Sequence, residues 1–317
     1  MKQKGDSNIT VKQHFVPQFY IRNFYNSKNK VDCWIVGKKD NPICEKSAKA
    51  ICWELNLYEW DMDEFLNDIE DRLDAFENEV KPAIDNIFNY FNQFELKQGD
   101  CLYLPKTEDI EKLIVYVIIQ ILRTPNMIHS LSDMVEKMIR ADEMFCKLVF
   151  EDNIVKNSDS ETIKAALKGK GLDFFFKNKY VLSYIYQSVK KTHKIVVFKS
   201  ENLHFLSSDE PVVIDFRENK LTEENAPLLL EKSNFYFALS PKYCLGLLLS
   251  NKDYEDIGED EFALRTINYR IYEYITELLV MRSNKYIYSD KIDEKSEKII
   301  KRTLELKEKF KKDLEMK

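Results

Sequence analysis

The chain has 317 residues, of which 44% are hydrophobic and 32% charged, with only 7 Gly and 8 Pro. These proportions exclude a disordered, collagenous or low-complexity protein and point to few loops and long regular elements. Lys+Arg 48 against Asp+Glu 54 leaves a net charge of −6, which suits a soluble cytoplasmic protein and supplies no global argument for nucleic acid.

In chain order, residues 1–13 are polar and read as a frayed leader. Residues 31–36 read as a strand, closed by a turn at Asp40-Asn41-Pro42. An acidic helix over 62–91 follows, with Phe65, Ile69, Leu73, Phe76, Val80, Ile84, Ile87, Phe88 and Phe91 at spacings of three and four. That is one apolar stripe, with Asp and Glu on the solvent face and Pro82 expected to kink or split it. Thr107 before Glu108 and Asp109 starts a helix that is apolar nearly all round and therefore central, and Arg123-Thr124-Pro125 ends it. Further helices are expected over 128–150, 160–167 and 180–190. Segments 194–198, 202–206, 212–216, 234–239 and 243–249 are rich in β-branched and aromatic residues and read as strands. Helix returns over 260–281, a last strand over 286–288, and a Lys/Glu-rich helix over 293–314. The expectation is a single α+β domain, mainly helical, with a small antiparallel sheet built from the N-terminal strand region and the strands around 194–249.

Charge is unevenly spread. Residues 51–80 hold 11 acidic and 1 basic residue, whereas 164–199 hold 9 basic and 1 acidic. The six cysteines form no CxxC pair or zinc-type cluster and read as reduced thiols. The most apolar run, 113–122, is shorter than the roughly 20 residues of a membrane span. No glycine-rich phosphate loop, HExxH or GxSxG is present, so no cofactor and no metal is designated.

The remaining polar candidates each carry two readings. His14, beside the Pro17 turn, is either an acid–base group or a histidine packed under the sheet. Arg123, after ten apolar-rich positions, either pairs with a carboxylate or contacts an anionic substrate. Ser207-Ser208-Asp209-Glu210-Pro211 either caps local backbone or aims Asp209 into a cleft. Glu218-Asn219-Lys220 is a weak nuclease-like spacing. Lysines and aromatics interleave over 164–199, with Lys177, Lys179, Tyr180, Lys190 and Lys191 as candidate contacts to single-stranded nucleic acid; the plain alternative is a solvated lysine face over ordinary core aromatics. His193 and His204 read as structural.

The segment His14-Phe15-Val16-Pro17-Gln18-Phe19-Tyr20-Ile21-Arg22-Asn23-Phe24 resembles the H-x-V-P-Q-x-Y-L-R-x-F opening of a bacterial family known as domain of unknown function 4238, with Ile21 in place of Leu. The resemblance continues through Trp34, Leu122-Arg123-Thr124-Pro125, the F-x-T-S-D-x-P-V-like stretch 205–212, Ala238-Leu239-Ser240-Pro241 and residues 268–289. It implies that His14, Gln18, Arg123, Ser208 and Asp209 belong to one pattern, and it brings no settled activity. An imidazole, an amide, a guanidinium and a carboxylate converging would suit phosphodiester chemistry. The functional expectation is an RNase-like hydrolase, acting in bacterial defence or as a toxin. His14 and Asp209 serve as acid–base groups, Asp209 alternatively as a metal ligand; Arg123 is the phosphate contact, and Gln18 and Ser208 position the substrate. The rival class is a non-catalytic binding or regulatory protein that docks a partner through the acidic helix or the terminal helix.

Overall fold

The structure, a computed structural model, describes residues 10–59, 67–130, 179–215 and 232–315 and a few positions between 131 and 178. Short elements open it: β1 (Lys12–His14), α1 (Gln18–Arg22), β2 (Val31–Ile35), β3 (Ile43–Lys46) and β4 (Trp53–Leu55). Then come α2 (Asp68–Phe91), β5 (Cys101–Pro105) and α3 (Glu108–Leu122). The later elements are α4 (Lys179–Thr192), β6 (His193–Lys199), β7 (Ser207–Ser208), β8 (Val212–Asp215), β9 (Asn234–Ala238), β10 (Tyr243–Leu249), β11 (Glu261–Thr266), α5 (Tyr269–Arg282), β12 (Tyr286–Ser289) and α6 (Glu294–Glu315).

Helix and sheet are mixed as the sequence suggests, but the sheets are sizeable. A six-stranded sheet runs β5-β11-β6-β10-β9-β8, a four-stranded one β3-β2-β12-β7, and β1 pairs with β4. The N-terminal strands therefore do not join the strands around 194–249; β2 pairs instead with β12, nearly the whole chain away. All pairings in the large sheet are antiparallel except β11 on β6. Its central strands β6 and β10 are buried almost throughout, which is why they read as continuous apolar runs rather than alternating ones. Gly246 in β10 sits where a Cβ would come within 3.1 Å of the Phe198 ring, so the absence of a side chain there lets the sheet close.

Several expected elements need revision. Segment 202–206 is not a strand; the pairing residues are Ser207 and Ser208. The stretch expected as helix from 260 opens with β11, and Asn268 starts the helix only afterwards. Lys12 and Gln13 belong to β1 rather than to a frayed leader. Pro82 does not split α2, because Pro82 and Asn78, whose carbonyl would lose its donor, both face solvent. The helices expected over 180–190 and 293–314 are present as α4 and α6, whereas most of those expected over 128–150 and 160–167, together with Phe65 and Glu218-Asn219-Lys220, lie outside the described residues. Among the described residues, no helix is long and apolar enough to cross a membrane.

Local chemistry explains the two helices that frame the site. The Thr107 side chain accepts from the Ile110 amide, and Glu108, Asp109 and Glu111 occupy the first turn of α3. From Leu113 to Leu122 nearly every side chain is buried, so α3 passes through the core, packed against α2. Asn268 caps α5 by accepting from the Ile271 amide at 2.9 Å. Replacing that cap tests the assignment: Asn268→Ala lowers unfolding free energy by about 1 kcal/mol in a urea titration, whereas Asn268→Asp retains it. Equal losses in both variants would contradict the cap.

Candidate functional site

An arginine at the end of a core helix cannot stay unpaired, because an isolated charge in the interior is very costly. Arg123 is only 2% exposed. Its Nη1 donates to Glu77 Oε1 on α2 at 2.6 Å, and its Nη2 donates to the His14 carbonyl at 2.5 Å. One turn earlier, Gln120 Nε2 donates to the Phe15 carbonyl at 2.8 Å. The end of α3 thus grips the backbone of the HFVPQ segment by two side chains. Gln13 extends the grip: its Oε1 accepts from the Tyr58 amide and its Nε2 donates to Glu59, both at 2.8 Å.

Around the guanidinium lie His14, Tyr58, Glu70, Glu77, Tyr116 and Gln120. Four buried atoms of this cluster, His14 Nε2, Glu70 Oε2, Tyr116 OH and Gln120 Oε1, have no hydrogen-bond partner in the protein, while the Tyr58 side chain is hydrogen-bonded to Arg123. Buried polar atoms are nearly always satisfied, so such a concentration sets this cluster apart from the surrounding core. His14 and Glu77 are partly exposed and form the cluster's edge toward the surface.

The electrostatics follow from burial. Burial pushes the Glu70 carboxyl up to about 7, against the pull of Arg123 and assisted by Asp74 and Glu77. Burial also raises Glu77, which Arg123 partly offsets. His14 is pulled down to about 4, by burial first and by the Arg123 charge second, so it is neutral. Burial works against the charge on Arg123 itself, but Tyr58 and Glu77 beside it hold its pKa above the ordinary arginine value. The cluster thus offers a fixed cation, a neutral imidazole and a carboxyl that is half protonated near neutral pH. That is a set capable of moving a proton.

Of the residues proposed from sequence, His14 and Arg123 come together here. Asp209 turns elsewhere. It is 5% exposed, and its carboxylate accepts from the Asn284 amide at 3.1 Å and the Lys285 amide at 2.7 Å, clamping the α5–β12 turn. Both carboxylate oxygens are thus engaged by the backbone of that turn, away from the Arg123 cluster. Ser208 closes a local turn with Glu210, accepting from its amide at 3.0 Å. Gln18 accepts from Arg22 at 3.2 Å on the surface of α1. Lys179 begins α4, on which Tyr180 is 88% exposed and Lys191 is also exposed; Lys177 lies outside the described residues. Lys190 pairs with Glu111 at 2.8 Å. Sequence reasoning missed Glu70, Glu77, Tyr58, Tyr116 and Gln120. The available signal was spacing: Glu70 and Glu77 stand seven apart, on one face of α2, beside the apolar stripe that carries Leu73 and Val80.

The chain belongs to the family described as protein of unknown function (DUF4238), whose model matches residues 12–293. No curated protein and no solved structure matches it. The match spans all the elements that build the Arg123 cluster and ends as α6 begins.

A pH titration checks the electrostatics. Glu70 holds its proton more tightly in the folded chain than in the unfolded one, so its contribution to stability is complete below pH 4.5 and is lost as pH rises through about 7. Relative to Glu70→Gln, the wild type should lose about 3 kcal/mol over that window in denaturant titrations. Parallel profiles would contradict a buried carboxyl at this position.

Proposed function

We propose that the protein is a phosphodiester hydrolase acting on RNA in the cytoplasm, with Glu70 as the acid–base group of the Arg123 cluster. The observation that carries this reading is the ring of unpartnered buried polar atoms around a guanidinium, one of them on a carboxyl poised near neutral pH. Glu70 would take the proton from the attacking oxygen and return it to the leaving oxygen. Arg123 supplies a fixed positive field where negative charge develops, without reorganisation at the moment of reaction. In this reading Tyr116 and Gln120 would orient the substrate, and neutral His14 would be a hydrogen-bond partner at the edge. The aromatic face of α4, with Tyr180 at 88% and Tyr184 at 69% exposure, is available for bases to stack on. A role in defence or as a toxin is part of the same proposal, since uncontrolled RNA cleavage arrests growth.

A non-catalytic binding role is favoured by one specific observation, the engagement of Arg123 by Glu77 and the His14 carbonyl. One experiment separates the two readings. Purified wild type is incubated with labelled single-stranded RNA beside Glu70→Gln and Asp209→Asn, with circular dichroism to confirm folding. The hydrolase reading expects cleavage by wild type, a loss of about 100-fold or more in Glu70→Gln, and rates within a few-fold of wild type for a folded Asp209→Asn. Intact RNA with wild type, or undiminished cleavage by Glu70→Gln, would overturn it in favour of the binding role.

A further inference from the structure

Five cysteines fall among the described residues, all as free thiols, and the proposed reaction uses none of them. Two face each other. Cys33 on β2 and Cys44 on β3 are directly opposed in the antiparallel register, so their side chains leave the same face of the sheet side by side. Two residues farther along β2, the Ile35 amide donates to the Pro42 carbonyl at 2.9 Å. The alternation of an antiparallel ladder makes Cys33 and Cys44 a pair of the same, hydrogen-bonded kind. Cα atoms in such a pair lie about 5.5 Å apart, within the most frequent range across a disulfide. The backbone is therefore already placed for a bridge, with no slip of either strand.

The two thiols differ in access. Cys33 is fully buried, and burial pushes its thiol up to about 12, so it holds its proton and meets no reagent from solution. Cys44 is partly exposed on β3, the edge strand of the β3-β2-β12-β7 sheet. A third thiol, Cys52, also lies near Cys33, but it is buried and stands outside the β2–β3 register. An accessible thiol beside a sealed one is the arrangement in which the first reacts and the second resolves. We propose that Cys33 and Cys44 form a reversible redox modification site, closed to a cross-strand disulfide by a low-molecular-weight disulfide. The Cys44 thiolate attacks one sulfur of the small disulfide, whose S–S bond breaks; a mixed disulfide forms and one thiolate is released. Cys33 then attacks the Cys44 sulfur and expels the second small thiolate. The protons of Cys44 and Cys33 end on the two released thiols, so two protein thiols are oxidised and one small disulfide is reduced.

The test uses the full chain, reduced, freed of reductant and exposed to oxidised glutathione at neutral pH without denaturant. After an acid quench and alkylation of the remaining thiols, linked peptides are mapped by mass spectrometry; Lys38 and Lys39 let trypsin separate the two cysteines. The expected product has lost two hydrogens, links Cys33 to Cys44 and reverts with dithiothreitol. In Cys33→Ala the reaction should stop with one glutathione on Cys44, and in Cys44→Ala Cys33 should stay unmodified, each variant folded as judged by its melting transition. The wild-type map decides the question even if a variant does not fold. Cys33 and Cys44 both remaining free, Cys33 linked to Cys52 instead, or glutathione persisting on Cys44 of the wild type would each overturn the site.

Discussion

The guanidinium of Arg123 is the constraint around which the fold is arranged. A cation in the interior costs several kcal/mol unless it is paired and hydrogen-bonded. Here the pairing reaches across 46 residues to Glu77 on α2 and across 109 residues to the His14 carbonyl. Helix α2, helix α3 and the N-terminal segment are thereby fixed to one another at a single point. The apolar packing around this point, including Tyr116 near Phe19, Phe76 and Phe237, holds the three elements at the distance the charge requires.

The end of α3 divides two polar environments. On the Arg123 side lie the HFVPQ segment and the acidic face of α2; on the Thr124 side lie the SSDEP segment and the end of α5. Three sequence motifs that are far apart in the chain meet at two consecutive residues. Asp209 contributes from behind, holding the α5–β12 turn and thereby the position of Arg282 two residues before it. Glu70 and Glu210 occupy the two sides with similar electrostatics, each pushed up to about 7 by burial and each facing an arginine.

Much of this was legible in the sequence where the signal is local. The Thr107 helix start, the strand at Val31–Ile35 and the buried course of α3 each depend on residues within a few positions of one another. The inward turn of Glu70 and Glu77 was signalled only by their seven-residue spacing beside the apolar stripe, because a carboxylate on an amphipathic helix faces water unless a distant cation calls it in. β5 and β11 were missed for a related reason. β5 pairs with β11, about 160 residues away, and β11, inserted between β5 and β6, runs directly into the Asn268-capped helix. Asp209 was recognised as special, but its partners are backbone amides at Asn284 and Lys285, which no residue pattern advertises.

The most direct test of Arg123 as the organising contact is hydrogen–deuterium exchange on wild type and Arg123→Lys. A lysine keeps the charge but cannot serve Glu77 and the His14 carbonyl together with a planar fork. The account predicts faster exchange within residues 12–22 and in the middle of α2, with protection of β6 and β10 unchanged. Unchanged exchange at residues 12–22 would contradict it.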